Sequence, residues 1–184
     1  VGSPRKAILT NKVFQENPDS PKATVRAELE RLLEVEQCIF IPVEKNDLFG
    51  HAGGMVRVIT PHLVVMNDYT ELFPLLHQQL RRIFKRHRLD VEVLPYPPPR
   101  SFSFLGVPRK DIPILAAEGN YVNFLRVGDL ILLPSYGIPE DELACRTLER
   151  LCPTVKIIPL PARELAEEGG VFHGISWTVQ VGPS

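Results

Sequence analysis

The sequence predicts an α/β fold assembled from a repeated strand–strand–helix–strand unit. Three observations predict it. Apolar runs of strand length alternate with segments whose leucines recur at helical spacing. The order strand, strand, helix, strand is complete twice, with a period of roughly 55–65 residues. Turn-forming residues such as Pro61, Gly128-Asp129 and Pro139 fall between the periodic segments. A chain of 184 residues is long enough for a real core, so residues 1–184 are read as a single domain.

The elements follow in order. Ala7-Ile-Leu-Thr10 reads as a strand, Thr24 to Glu34 as a helix turning Val25, Leu29, Leu32 and Leu33 inward, and Cys38-Ile-Phe-Ile-Pro-Val43 as the strand that returns. This first stretch has the order of the repeat without its opening strand. Met55 to Thr60 and His62 to Asn67 are two strands joined at Pro61. They are followed by a helix with Leu72, Leu75, Leu76, Leu80, Ile83 and Phe84 at helical spacing, and by the β-branched strand Val91 to Tyr96. Tyr121 to Val127 and Leu130 to Pro134 read as a hairpin over Gly128-Asp129. Pro139-Glu-Asp-Glu142 opens a helix, because proline suits the first turn and acids complement the helix dipole. Its apolar face is Leu143, Ala144, Thr147, Leu148 and Leu151, and Val155 to Leu160 returns as a strand. Val171 to Val179 reads as the opening strand of one more unit. Two to three such units leave open sheet edges, which invite self-association.

Composition narrows the function classes. The apolar fraction of 44% and charged fraction of 23% are those of a globular domain. A formal net charge of −1 gives no general attraction to nucleic acid or to an anionic membrane. The basic run Arg81 to Arg88 reads as the solvated face of a helix, and Leu94 to Arg100 as a stiff proline connection. The longest apolar runs are strand-length, and no basic segment followed by an apolar one opens the chain. Cys38, Cys145 and Cys152 lack the spacing of a disulfide framework and read as buried thiols in a reducing, cytoplasmic setting.

Two glycine-rich stretches stand out: Phe49-Gly-His-Ala-Gly-Gly-Met-Val-Arg-Val58 and Gly169-Gly-Val-Phe-His-Gly-Ile-Ser-Trp177. Glu168-Gly-Gly170 follows a short helix and precedes an apolar run, the reverse of the order in phosphate-binding loops. A C-terminal cap on the helix Ala162–Glu167 explains it, with close approach of a ligand to the backbone as the alternative. His51 lies in a loop at the mouth of a strand pair.

Together these stretches resemble the agmatine deiminase and bacterial peptidylarginine deiminase family. Gly50-His-Ala-Gly-Gly-Met-Val-Arg57 is similar to the family's Gly-His-x-Asp segment. Glu168-Gly-Gly-Val-Phe-His-Gly-Ile-Ser176 is similar to its Gly-Gly-x-x-His-Cys-Ile segment. Asn120 to Leu125, Leu133 to Gly137 and Pro139 to Ala144 resemble its penultimate unit. The resemblance implies the pentein fold, a propeller of strand–strand–helix–strand units of which this chain is the incomplete C-terminal part. It also implies hydrolysis of a guanidino group, on agmatine or peptidyl arginine, to a ureido group and ammonia. In that chemistry carboxylates grip the planar guanidinium. A cysteine thiolate attacks its carbon to give an amidino-thioether, and a histidine moves the protons. No metal or organic cofactor is implied. By the same resemblance His51 stands at the catalytic histidine, Gly53 at a guanidinium-binding aspartate, and Gly174 at the nucleophilic cysteine. Glycine can neither clamp nor attack. The chain is therefore expected to be an inactive deiminase-family protein, a pseudoenzyme. The alternative is a non-catalytic pentein module engaged in protein–protein interaction.

Overall fold

The computed structural model describes residues 2–3, 5–45, 47, 49–98 and 117–177. Among these residues are three three-stranded sheets, each ordered as its strands occur in sequence. In the first, β1 (Gly2–Ser3) lies antiparallel to β2 (Lys6–Thr10). The chain then passes through the short helix α1 (Lys12–Gln15) and α2 (Lys22–Leu32) to β3 (Gln37–Ile41), which runs parallel to β2. The second sheet repeats this with β4 (Val56–Thr60), β5 (Leu63–Asn67), α3 (Pro74–Arg86) and β6 (Asp90–Leu94). The third has β7 (Leu125–Val127), β8 (Leu130–Ser135), α4 (Glu140–Leu151) and β9 (Lys156–Pro161). A last short helix, α5, spans Arg163–Glu167. The helix in each unit is the crossover that a parallel strand pair requires.

Four expectations are corrected. The first unit does have its opening strand, the two residues of β1, too short to register as an apolar run. Tyr121–Asn123 forms a single 3-10 turn, and the strand begins only at Leu125, because Tyr121, Val122 and Asn123 are all buried in a wedge between sheets. Residues 172–175 are a turn where a strand was expected, with the Ile175 N–H bonded back to the Val171 carbonyl at 3.1 Å; residues 178 and 179 lie outside the described residues.

The fourth correction concerns which leucines face inward. Three strands about 4.8 Å apart cover little more than one helix width, so each sheet buries a narrow stripe. On α3 that stripe is Leu76, Leu80 and Phe84, spaced by four residues, and Leu75 is left 75% exposed. On α4 it is Ala144 and Leu148, with Leu143 left 57% exposed. Helix α2 has no fully buried residue: Val25 and Leu29 are half-buried, and Leu32 and Leu33 face solvent.

Two core clusters join the sheets. Ile8, Ile39 and Ile41 of the first sheet pack with Val56, Val64, Met66 and the α3 stripe. Ile59, Val65 and Leu94 of the second sheet pack with Ile131, Leu133 and Leu148 of the third unit. Arg57 spans the same boundary. It lies against the Phe124 ring and donates to the Val122 and Phe124 carbonyls, each at 3.3 Å. Its burial lowers the guanidinium pKa to about 10, still charged at neutral pH. Gly128, at φ +59°, makes the hairpin turn between β7 and β8. Among the described residues no helix is long and apolar enough to cross a membrane.

Candidate active site

The loops at the strand ends enclose an open cavity of about 1260 Å³. His51, Gly53 and Gly174 all line it, although 123 positions separate the first from the last (174 − 51).

The loop before β4 carries His51. The Asp47 carboxylate organises it, accepting the Phe49 N–H at 2.9 Å and the His51 N–H at 2.5 Å. The exposed His51 ring lies with Nδ1 3.5 Å from Asp47 Oδ1, against the Phe49 ring. Gly50 sits at φ +71°, its carbonyl accepting from Thr10 Oγ1 at 2.6 Å. The positive φ favours glycine here, and a Cβ would fall 2.8 Å from Lys12 Cδ, so that side chain would have to shift. Gly53 lies in the 3-10 turn Ala52–Gly54, a conformation open to any residue.

The other glycine stretch starts at the C-terminus of α5. Gly169, at φ +87°, donates its N–H to the Ala166 carbonyl, which is a glycine cap on the helix. The cap and the ligand approach are compatible, because Gly169 and Gly170 also line the cavity.

The 3-10 turn of the third unit ties the two stretches together. Asn120 Nδ2 donates to the Gly54 carbonyl at 2.9 Å. Asn123 Oδ1 accepts the Gly174 N–H at 3.1 Å, and its backbone carbonyl accepts the His173 N–H at 3.2 Å. Asn67 adds a second bond to the Gly54 carbonyl, at 2.8 Å. Sequence reasoning assigned no role to these asparagines. The available signal was two amides inside a stretch otherwise apolar enough to be buried, where an amide needs a partner.

Sequence reasoning also missed Glu44. This buried residue on the cavity wall accepts from Tyr69 Oη at 2.5 Å and from Tyr96 Oη at 3.1 Å. Burial raises its carboxyl above the usual range, while the two phenol bonds pull it back down. The phenols are themselves pushed up, by burial first and by the Glu44 charge second, and so remain donors. Among the described residues around the cavity stand Glu16, Glu44, Asp47, Glu118 and Glu168, five carboxylic residues against one lysine, Lys12. No cysteine lines it among the described residues.

His173, half-buried on the same wall, has its pKa lowered to about 4 by burial and by the Arg57 charge. It is therefore neutral at pH 7. Between pH 4 and the ordinary value of 6.5 the unfolded chain binds the extra proton, so stability is lost as the pH falls through this window. The imidazole is half-exposed, so solvent screening limits the effect to about 1 kcal/mol. His77 and His87 act in the same direction, and Glu44 in the opposite one. His173→Gln is expected to flatten the stability slope of denaturant melts between neutral pH and about pH 4.5. An unchanged slope would place the ring in solvent.

The sequence pattern of the Porphyromonas-type peptidyl-arginine deiminase family matches residues 5–180. The chain belongs to that family. Among its relatives, the agmatine deiminase of Pseudomonas aeruginosa (strain LESB58) is 27% identical over 179 residues, 87% of this chain and 49% of that protein. Among solved structures, the agmatine deiminase of Enterococcus faecalis superposes with a TM-score of 0.77 at 22% identity, covering 95% of this chain and 54% of that one. The C. jejuni agmatine deiminase gives 0.74 at 20% identity, over 91% and 50%. The deiminase family and its α/β fold are thus established for this chain, which spans about half the length of the curated relatives it matches.

Proposed function

We propose that this chain keeps the cavity of a guanidino-group deiminase but does not hydrolyse what it binds, and that it folds as one incomplete pentein propeller domain. One observation carries this reading: the cavity holding His51 presents glycine backbone at positions 53 and 174 and has no cysteine on its described wall. Without a thiolate no amidino-thioether forms. Without an aspartate at position 53 the guanidinium also loses one bidentate carboxylate partner. The native thiols cannot substitute. Cys38 is fully buried, Cys152 is nearly so, and burial pushes all three thiols up, away from the thiolate. Three free thiols support a reducing, cytoplasmic setting.

The acid-rich wall supports a small cation as the occupant. Agmatine, the compound named in the relatives, and peptidyl arginine, named in the family, both present such a group. The test is incubation of the purified chain with agmatine, free arginine and an arginine peptide, with ammonia as the readout. No release above the buffer blank is expected. Release that persists after repurification would overturn the proposal.

A further inference from the structure

We propose that Glu118 and Asn120 form an acceptor edge on the cavity wall that takes a guanidinium cation, doing the work of the carboxylate that Gly53 lacks. This rests on the reading above only in taking a small guanidino compound as the occupant.

Each of the two residues holds an orphaned acceptor, and both residues line the cavity. Glu118 Oε2 and Asn120 Oδ1 are both buried and have no hydrogen-bond partner among the described residues. The Glu118 side chain is 5% exposed. Among the described residues its paired cation is Arg163, whose Nη2 is 3.8 Å from the other carboxylate oxygen and already bonded to the Tyr136 carbonyl at 2.6 Å. Asn120 cannot be turned over to satisfy itself, since its Nδ2 is committed to the Gly54 carbonyl. A buried carboxylate oxygen and a buried amide oxygen, each without a donor, are costly to fold.

The segment carrying them packs closely against Pro97 and is bonded to Tyr136. Gly119 sits at φ +77°, and a Cβ there would fall 2.9 Å from Pro97 Cγ. Tyr136 Oη donates to the Ala117 and Asn120 carbonyls, at 3.2 and 3.3 Å. Both orphans accept only, so the missing partner must donate. One of them is a carboxylate, which a cationic donor satisfies most strongly. A guanidinium carries five N–H donors in one plane, and so can serve a carboxylate and an amide oxygen at once where a point charge favours the carboxylate alone. The location fits as well, because Asn120 grips Gly54, the neighbour of Gly53, and both segments line the cavity with His51.

The test is an amide NMR titration of the whole chain with methylguanidine and, separately, with methylamine. Methylguanidine is expected to move the Gly119 and Asn120 amides saturably, and methylamine to bind more weakly. Glu118→Gln keeps the shape, removes the charge and is expected to weaken methylguanidine binding by about tenfold or more. Equal affinity in a folded Glu118→Gln chain, shifts confined to other parts of the cavity, or equal binding of methylamine would overturn the assignment. Should the variant not fold, the location of the shifts and the methylamine comparison in the wild-type chain decide. Ammonia release by the wild-type chain would sink the non-hydrolytic reading and leave this assignment standing.

Discussion

Asp141→Ala is expected to cost about 3 kcal/mol of stability, far more than its place on a helix surface suggests. The acidic first turn of α4 reads in sequence as a complement to the helix dipole. In the structure Asp141 turns back over the preceding loop. Its carboxylate accepts the backbone N–H groups of Tyr136 at 3.0 Å, Gly137 at 2.8 Å and Ile138 at 3.2 Å, and the Tyr121 hydroxyl at 2.6 Å. Alanine would leave a buried phenol and three amides without their acceptor. Each such loss is worth about 1–3 kcal/mol where water cannot replace it, and less at the exposed Gly137. Tyr121 belongs to the turn that carries Asn123, and Tyr136 packs edge-on against it and bonds the Asn120 carbonyl, so this loss reaches the cavity as well as the core. Urea melts give the number, and a loss below about 1 kcal/mol would mean that solvent takes over the role of the carboxylate.

In the Gly53→Asp/Gly174→Cys variant, the introduced thiol is expected to be modified at least about tenfold faster than any native cysteine. Position 174 has room for it. A Cβ there would have its nearest neighbour, the Val171 carbonyl oxygen, at 3.5 Å, an ordinary contact. The backbone N–H stays anchored on Asn123 Oδ1, so the new side chain starts from a fixed point in the cavity that His51 lines. The native thiols are all raised by burial, and Cys145 is raised further by Glu149. Gly53→Asp alone restores no turnover, because a clamp without a thiol leaves the reaction incomplete.

The repeat was legible wherever a strand or helix buries an apolar stripe. β5, with Val64, Val65 and Met66 all buried, and α3, with Leu76, Leu80 and Phe84, announce themselves by period. What stayed hidden has specific causes. β1 is two residues long and held by pairing to β2, which leaves no pattern to read. Leu75 and Leu143 match the helical period but fall beside the narrow stripe that three strands can cover. Of the cavity, the glycines and His51 were visible as a motif. Asn120, Asn123, Glu44 and Glu118 were not, because their roles are set by partners far along the chain: Gly54, Gly174 and Tyr69 among them. A polar residue in an apolar stretch says that a partner exists, and only the fold says which one.

The claim that His51, Gly53 and Gly174 frame one emptied site is tested most directly by treating the Gly53→Asp/Gly174→Cys chain with a haloacetamidine and mapping the label by mass. The reagent mimics the guanidine group, and its charge suits an acid-rich cavity. The account predicts label concentrated at position 174, with Cys38, Cys145 and Cys152 spared, and protection of that position by added agmatine. Label spread evenly over the introduced and native thiols in a folded chain would contradict it.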